Sequence, residues 1–210
     1  MKTLRLVLGD QLSRDLPSLE DLDPAKDLVL MAEVMSEVTY VKHHKRKIAY
    51  LFSAMRHFAN SLGDDGIAVR YRRLDDADNA GSLVGEVAAA IAAFGPDRIV
   101  ITAPGEYRLA NEMAGWQARF GFAVDIRADT RFLCSLDDFA EWAEGRKSLR
   151  MEFFYRDLRR RYKVLMEGDE PIGGKWNYDA DNRQPPKAGL AVPLPSSFAP
   201  DAITTEVLAL

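Results

Sequence analysis

Short apolar runs stand at residues 4–8 (LRLVL), 28–34 (LVLMAEV) and 98–103 (RIVITA), each bounded by turn-forming residues such as Gly9-Asp10, Asp23-Pro24 or Pro104-Gly105. Runs of this length without regular alternation mark strands buried on both faces of a parallel sheet. Residues 67–74 (IAVRYRRL) alternate instead, as a strand nearer a sheet edge does, and residues 122–128 (FAVDIRA) predict a further strand. Helical spacing appears between them. Ile48, Leu51, Phe52, Met55, Phe58, Ala59 and Leu62 line one face of a helix that Gly63 and Gly66 stop. An alanine-rich helix over 82–94 ends at Gly95-Pro96, and a third over 106–120 ends at Gly121.

The order β, β, α, β, α, β, α, β predicts an α/β fold. Right-handed crossovers then give a Rossmann-like five-stranded parallel sheet, order 3-2-1-4-5, with helices on both faces. The first connection, residues 9–27, carries at most one turn, at 18–22. Beyond residue 135 the pattern changes. Residues 136–142 and 149–165 read as helices, and 167–200 are rich in Gly, Pro, Asn and Asp without periodicity, which is linker composition. Residues 201–210 look like the first turns of another helix, with Thr204 or Thr205 as cap. The expected organisation is a ligand-binding domain over 1–135, a helical extension over 136–166, and a linker over 167–210 that leads into a further domain.

Composition narrows the function classes. With 210 residues, 47% of them hydrophobic, the chain can bury one substantial core. A net charge of -4 argues against a generally nucleic-acid-binding surface. The single cysteine, Cys134, allows no internal disulfide and no multi-cysteine cluster, which suits a reducing cytoplasm. No apolar run reaches the ~18–20 residues that cross a bilayer, so no membrane partner is expected.

Ligands of open α/β sheets bind beyond the carboxyl ends of the strands. Residues 33–55 begin at such an end and are too rich in Glu, Tyr, His and Lys for an ordinary connection. Glu33, Glu37 and Tyr40 can address a planar ligand with a polar edge, because carboxylates accept from ring N–H and hydroxyl groups. The competing reading makes Glu37 a helix cap and Tyr40 a packing residue. Lys42, His43, His44, Lys45, Arg46 and Lys47 read as a solvated basic helix start, with a phosphate-facing or ligand-facing patch as the alternative. Adjacent helical residues do not face one another, so the two histidines are poor metal co-ligands. Gly9-Asp10 either forms a tight turn or brings backbone against a flat ligand. In the predicted strand order it adjoins Gly105-Glu106, where Glu106 either caps a helix or meets the same ligand. No G-x-G-x-x-G or phosphate loop is present, and no catalytic grouping can be assembled. In the helix over 149–165, Arg150, Arg156, Arg159, Arg160, Arg161 and Lys163 form a basic face, read as solvated or as facing DNA or another domain. Trp176 and Tyr178 in the linker read as exposed aromatics that dock on another surface. Spacing alone stops at an α/β domain that binds a planar or nucleotide-like ligand. A regulatory module and a complete nucleotide-binding enzyme remain alternatives.

Six segments, LVLGDQLS, EVMSEVTYVKHHKRKIAYLFSAMRHFA, YRRLDDADNAGS, APGEYR, GRKSLRMEFFYR and GGKWNYDADNRQP, occur in this order across the chain. Together they resemble the N-terminal region of the prokaryotic photolyase-related family, the bacterial cryptochromes and (6-4) photolyases that carry an iron–sulfur cluster. The resemblance implies an antenna-chromophore domain that binds 6,7-dimethyl-8-ribityllumazine. It also implies a long linker and a C-terminal domain that holds FAD and the cluster and, in the full-length protein, repairs DNA or senses blue light. Carried over by motif, Leu8, Gly9 and Asp10 would meet the lumazine after the first strand. Glu33, Met35, Glu37 and Tyr40 would line a second side, with Glu37 reading the polar edge. Ile48, Leu51 and Phe52 would form an apolar wall, and Gly105 and Glu106 would close the third side. The resemblance further implies that this chain stops where the C-terminal domain begins. That missing domain is then the expected partner, and no chemistry is expected of this chain alone.

Overall fold

A computed structural model describes residues 1–183, 185, 186 and 188–210. Gln184, in the last of the six segments, and Lys187, in the predicted linker, lie outside the described residues. The chain divides into two compact units, Met1–Phe132 with Ala199–Leu210, and Leu133–Phe198.

The first unit carries the sheet. In chain order it holds β1 (Thr3–Leu6), β2 (Leu28–Ala32), α1 (Met35–Thr39), α2 (Lys45–Asp64), β3 (Val69–Arg72), α3 (Leu83–Phe94), β4 (Arg98–Thr102), α4 (Tyr107–Ala114), α5 (Trp116–Phe120) and β5 (Ala123–Arg127). The five strands are parallel and lie in the order β3-β2-β1-β4-β5, the order that the β/α alternation predicts. Successive strand residues point to opposite faces, and the core divides accordingly. Leu4, Leu6, Leu30, Ile99 and Ile101 pack with Leu83, Val87, Met113 and Trp116 from α3, α4 and α5. Val7, Val29 and Met31 pack on the other face with Phe52, Met55, Ala59 and Leu62 of α2.

Local chemistry sets the helix ends. Nδ1 of His44 accepts from the Arg46 amide at 3.1 Å and starts α2. Oγ of Ser82 accepts from the Gly85 amide at 3.2 Å and starts α3. Gly95 ends α3 at φ 61°, a left-handed conformation that costs glycine least. Two elements differ from the sequence expectation. The helix expected over 106–120 is two helices, parted at Gly115. Helix α1 occupies part of what reads as an irregular polar connection; at five residues it is too short to show a helical period.

The long connection over 9–27 forms turns rather than a helix. Arg5, buried on β1, holds it to the sheet. Its guanidinium donates to Asp27 at 2.9 Å, to the Ser18 carbonyl and Asp21 carboxylate at 2.7 Å each, and to the Asp21 carbonyl at 2.8 Å.

The second unit holds α6 (Leu136–Ala143), α7 (Met151–Tyr162), the two-stranded hairpin β6 (Met166–Glu167) and β7 (Glu170–Pro171), a 3₁₀ turn (Ile172–Gly174) and α8 (Asp179–Asn182). Ser135 and Asp138 form a reciprocal capping box at the start of α6. Phe139, Trp142 and Phe154 cluster between α6 and α7 with ring centroids 4.8–5.9 Å apart. The hairpin replaces part of what composition alone gives as featureless linker. Trp176 is half-buried rather than exposed, because the guanidinium groups of Arg156, Arg159 and Arg160 lie 5.4, 5.3 and 4.5 Å from its ring centroid. Arg156 and Arg160 also meet Glu152 and Asp157 on their own helix, and Arg161 meets Asp138. The basic face of α7 is therefore partly neutralised within its own unit.

The chain returns to the first unit with α9 (Ala202–Leu208), whose Val207 enters the α2 side of the core. Asp201, not Thr204 or Thr205, caps α9, accepting from the Thr204 amide at 2.8 Å. Among the described residues, no helix is long and apolar enough to cross a membrane.

Candidate functional site

The chain runs from β1 through β2 to β3 on one side of the sheet and then places β4 and β5 on the other side of β1. The carboxyl ends of β1, β2 and β4 thus surround the switch point, and a cavity of about 310 Å³ opens there. Its volume lies at the small end of the ~300–1,000 Å³ range of small-molecule sites.

One wall is apolar. Val7 and Leu8 come from the end of β1, Ala32 and Val34 from the end of β2, and Ile48, Leu51, Phe52 and Met55 from one face of α2. Leu83 and Leu109 complete the apolar lining, packing in one cluster with Leu8, Ala32 and Val34. The rim is polar, with Asp10, Glu37, Tyr40, His43, Lys47 and Glu106. Gly9 lets the backbone approach the floor, since a Cβ there would sit 3.0 Å from Sδ of Met55. Gln11 ties this turn to its neighbour by donating to the carbonyls of Thr102 and Ala103 at 3.2 and 3.1 Å. That bond holds the Gly9-Asp10 and Pro104-Gly105 turns side by side.

The structure brings Leu8, Gly9, Asp10, Glu37, Tyr40, Ile48, Leu51, Phe52, Gly105 and Glu106 together around this cavity. Glu33 and Met35 do not line it. Glu33 is fully buried and its carboxylate turns to the α2 side of the sheet, where it accepts from Arg56 at 2.7 and 2.9 Å. It also accepts from the Tyr71 hydroxyl at 2.6 Å and the Leu74 amide at 2.9 Å. A carboxylate offers about four acceptor positions, so Glu33 has none left for a ligand. Burial first, and then this hydrogen bond to Glu33, push the Tyr71 phenol far up, so it stays a neutral donor. Met35 is half-exposed on α1.

Glu37 behaves differently. It caps no helix; it sits on α1 and accepts from Nη1 and Nη2 of Arg108 at 3.2 and 2.5 Å. Glu106 occupies the residue before α4, yet its carboxylate makes no capping bond and accepts from Arg108 at 2.9 and 3.2 Å instead. The same guanidinium lies 4.3 Å from the Tyr40 ring centroid. Hydrogen bonds to Glu37 first, and then to Glu106, push the Arg108 pKa well above its ordinary value, so the guanidinium stays charged. Of the basic run, His43 packs edge to face with Tyr40 at 5.1 Å and lines the cavity with Lys47, which favours the ligand-facing reading at these two positions over a wholly solvated helix start.

Sequence reasoning missed Arg108 because its partner Glu37 lies 71 residues away. It also missed Val7, Val34, Met55, Leu83 and Leu109. Of these, Met55 was within reach, since it continues the i, i+3, i+4 spacing of Ile48, Leu51 and Phe52.

Fold and cavity define a class, an α/β parallel-sheet domain with a small-molecule-sized hollow at its switch point. Within that class the chain belongs to the deoxyribodipyrimidine photo-lyase-related protein family, whose pattern it matches over residues 5–210. It is 54% identical over 208 residues to a (6-4) photolyase of Agrobacterium fabrum, a match that covers 99% of this chain and 41% of that protein. The chain thus spans about two fifths of that relative's length. An uncharacterised protein of Acanthamoeba polyphaga mimivirus is 27% identical over 149 residues, covering 69% of this chain and 74% of that protein.

Proposed function

We propose that this chain is the antenna-chromophore region of a photolyase- or cryptochrome-related flavoprotein, and that its switch-point cavity binds 6,7-dimethyl-8-ribityllumazine. The observation that carries the reading is the two-sided chemistry of the cavity. A flat, methylated ring needs an apolar slot, which Ile48, Leu51, Phe52 and Met55 supply from one helix face. A ring edge and a polyhydroxyl chain need acceptors and donors at the mouth, which Asp10, Glu37, Tyr40 and Glu106 supply. The volume suits one small heterocycle with a short side chain.

When bound, the lumazine would absorb blue light and pass excitation to a flavin. The residues of this chain would bind it, orient its ring and exclude water. Glu37 accepts from the polar edge, Gly9 admits the ring against backbone, and the α2 residues cover its apolar face. FAD, an iron–sulfur cluster and light-driven DNA repair or signalling belong, in this reading, to a C-terminal domain of the kind the family carries. That domain is the partner this region serves.

The test is a titration of the purified protein with 6,7-dimethyl-8-ribityllumazine, followed by visible difference absorption and by calorimetry. The expected result is saturable binding with a shifted absorption band. No spectral shift and no binding heat overturns the proposal, and tight binding of ATP or FAD in its place would assign the cavity to a nucleotide-binding module.

A further inference from the structure

We infer that Arg108 is the positioning residue of the cavity, fixing Glu37, Glu106 and Tyr40 in a single arrangement across its mouth. The inference builds on the ligand-cavity reading above. Arg108 lies in the first turn of α4, Glu37 on α1 and Tyr40 at the end of α1. Nη2 donates to Glu37 and to Glu106 at once, Nη1 adds a second bond to Glu37, and Nε adds a second to Glu106. The guanidinium carbon lies over the Tyr40 ring, 4.3 Å from its centroid, and the Tyr40 and His43 rings meet edge to face. Glu37, Glu106, Tyr40 and His43 line the cavity, whereas Arg108 does not. Arg108 therefore acts on a ligand only through the residues it holds.

Three physical consequences favour this role over that of an ordinary surface ion pair. The planar fork of arginine satisfies two carboxylates in fixed directions, which a lysine ammonium cannot do. It takes part of the acceptor capacity of Glu37 and Glu106, as the Ser36 hydroxyl does at Glu37 (3.3 Å), and leaves each carboxylate acceptor capacity for a ligand in the cavity they line. It also cancels the repulsion between two carboxylates that share one rim, so they present aligned acceptors without a net double negative charge. The guanidinium is about one third exposed, so its removal should cost the fold little. Its effect should appear in recognition.

The experiment compares wild type, Arg108→Gln and Arg108→Lys in lumazine titrations and thermal melts. Both variants are expected to lose affinity by about tenfold or more, with no rescue by lysine, because charge-assisted bidentate order is lost. The bound absorption band should shift in the variants, and melting should change by no more than about 4 °C. Wild-type affinity and an unchanged band in Arg108→Gln overturn the inference, as does full rescue by lysine. If wild type itself binds no lumazine, the lumazine reading fails, and the clamp is judged in the ligand-free protein by ¹⁵N NMR of arginine side chains. Separate Arg108 Nη signals that merge in Glu37→Gln support the clamp, and signals already averaged in wild type overturn it.

Discussion

Arg56, near the middle of α2, donates through Nε and Nη2 to the two carboxylate oxygens of Glu33 just past the end of β2, at 2.7 and 2.9 Å, with both side chains buried. This pair bolts α2, which lines the cavity with Ile48, Leu51, Phe52 and Met55, to the end of β2, which lines it with Ala32 and Val34. Glu33→Gln leaves the buried Arg56 charge with only the exposed Glu206 carboxylate, 3.7 Å from Nη1, and should lower unfolding stability by about 3 kcal/mol. Urea denaturation measures it. A loss below about 1 kcal/mol would mean that the pair is solvated in solution.

Glu37 and Glu33 stand four positions apart and should respond in opposite ways. Glu37→Gln removes an acceptor at the rim and is expected to weaken lumazine binding by about tenfold while leaving stability nearly unchanged. Calorimetry beside the denaturation curves separates the two. Equal stability losses at both positions would contradict the division of roles.

Leu51→Trp tests the apolar wall. The indole adds bulk on the cavity side of α2, where Leu51 is only half-buried and has room to turn outward into the hollow. Ligand affinity should fall by at least about tenfold through loss of space, with helical circular dichroism unchanged. Undiminished affinity would move the ligand to another place.

How much of this was legible in the chain follows from how far apart partners lie. The five strands and α2 and α3 could be read, because their signals (apolar runs, i, i+3, i+4 spacing, Gly stops) sit within one window. The cavity could be read as a place because strand order puts three strand ends together. What could not be read is which of Glu33 and Glu37 faces it. That choice depends on Arg56 and Tyr71, 23 and 38 residues beyond Glu33, and on Arg108, 71 residues beyond Glu37. The break at Gly115 was hidden for a different reason, since α4 and α5 continue one apolar face through Leu109, Met113 and Trp116.

Docking of α9 should depend on pH. His57 on α2 meets the Ser53 carbonyl through Nδ1 at 2.7 Å and the Asp201 carboxylate through Nε2 at 2.5 Å. The Ser53 carbonyl first, and then Asp201, raise the His57 pKa above its ordinary 6.5. The stability it adds is full below about 6.5 and is lost as pH rises through the higher folded value. Asp201 is held down to about 2, first by the Thr204 amide, so its share is present above the ordinary 3.8 and is lost only as pH falls toward 2. Protection of the α9 amides in hydrogen exchange, corrected for intrinsic rates, should therefore be greatest between about pH 4 and 6.5 and weaken toward pH 8. His57→Gln should flatten the alkaline side, and an unchanged profile in that variant would refute the latch.

The long connection over 9–27 stands where a helix would otherwise cross the sheet, and Arg5 is its anchor. Asp27 and the Asp21 and Ser18 carbonyls converge on the guanidinium, and Asp21 is shared with Arg127 and Arg98. Arg127 first, and Arg5 next, hold the Asp21 carboxyl well below the usual range. Its contribution is thus present at neutral pH and is lost only under strong acid. Arg5→Met keeps the side-chain bulk but leaves buried Asp27 without its counter-ion, held only by the Thr3 and Asp23 amides, and should cost about 3 kcal/mol. The same loss frees the loop, so limited proteolysis should cut between residues 9 and 27 before it cuts the sheet. The double variant Arg5→Met with Asp27→Leu removes both charges together and should regain part of the stability, because an apolar pair bears no desolvation penalty. Recovery with continued loop cutting would show that the anchor positions the loop, and recovery of both would reduce its role to charge balance. No recovery at all would mean that backbone groups dominate the site: the carbonyls of Ser18 and Asp21, left without donors in both variants, and the amides of Thr3 and Asp23, which lose their Asp27 acceptor in the double variant.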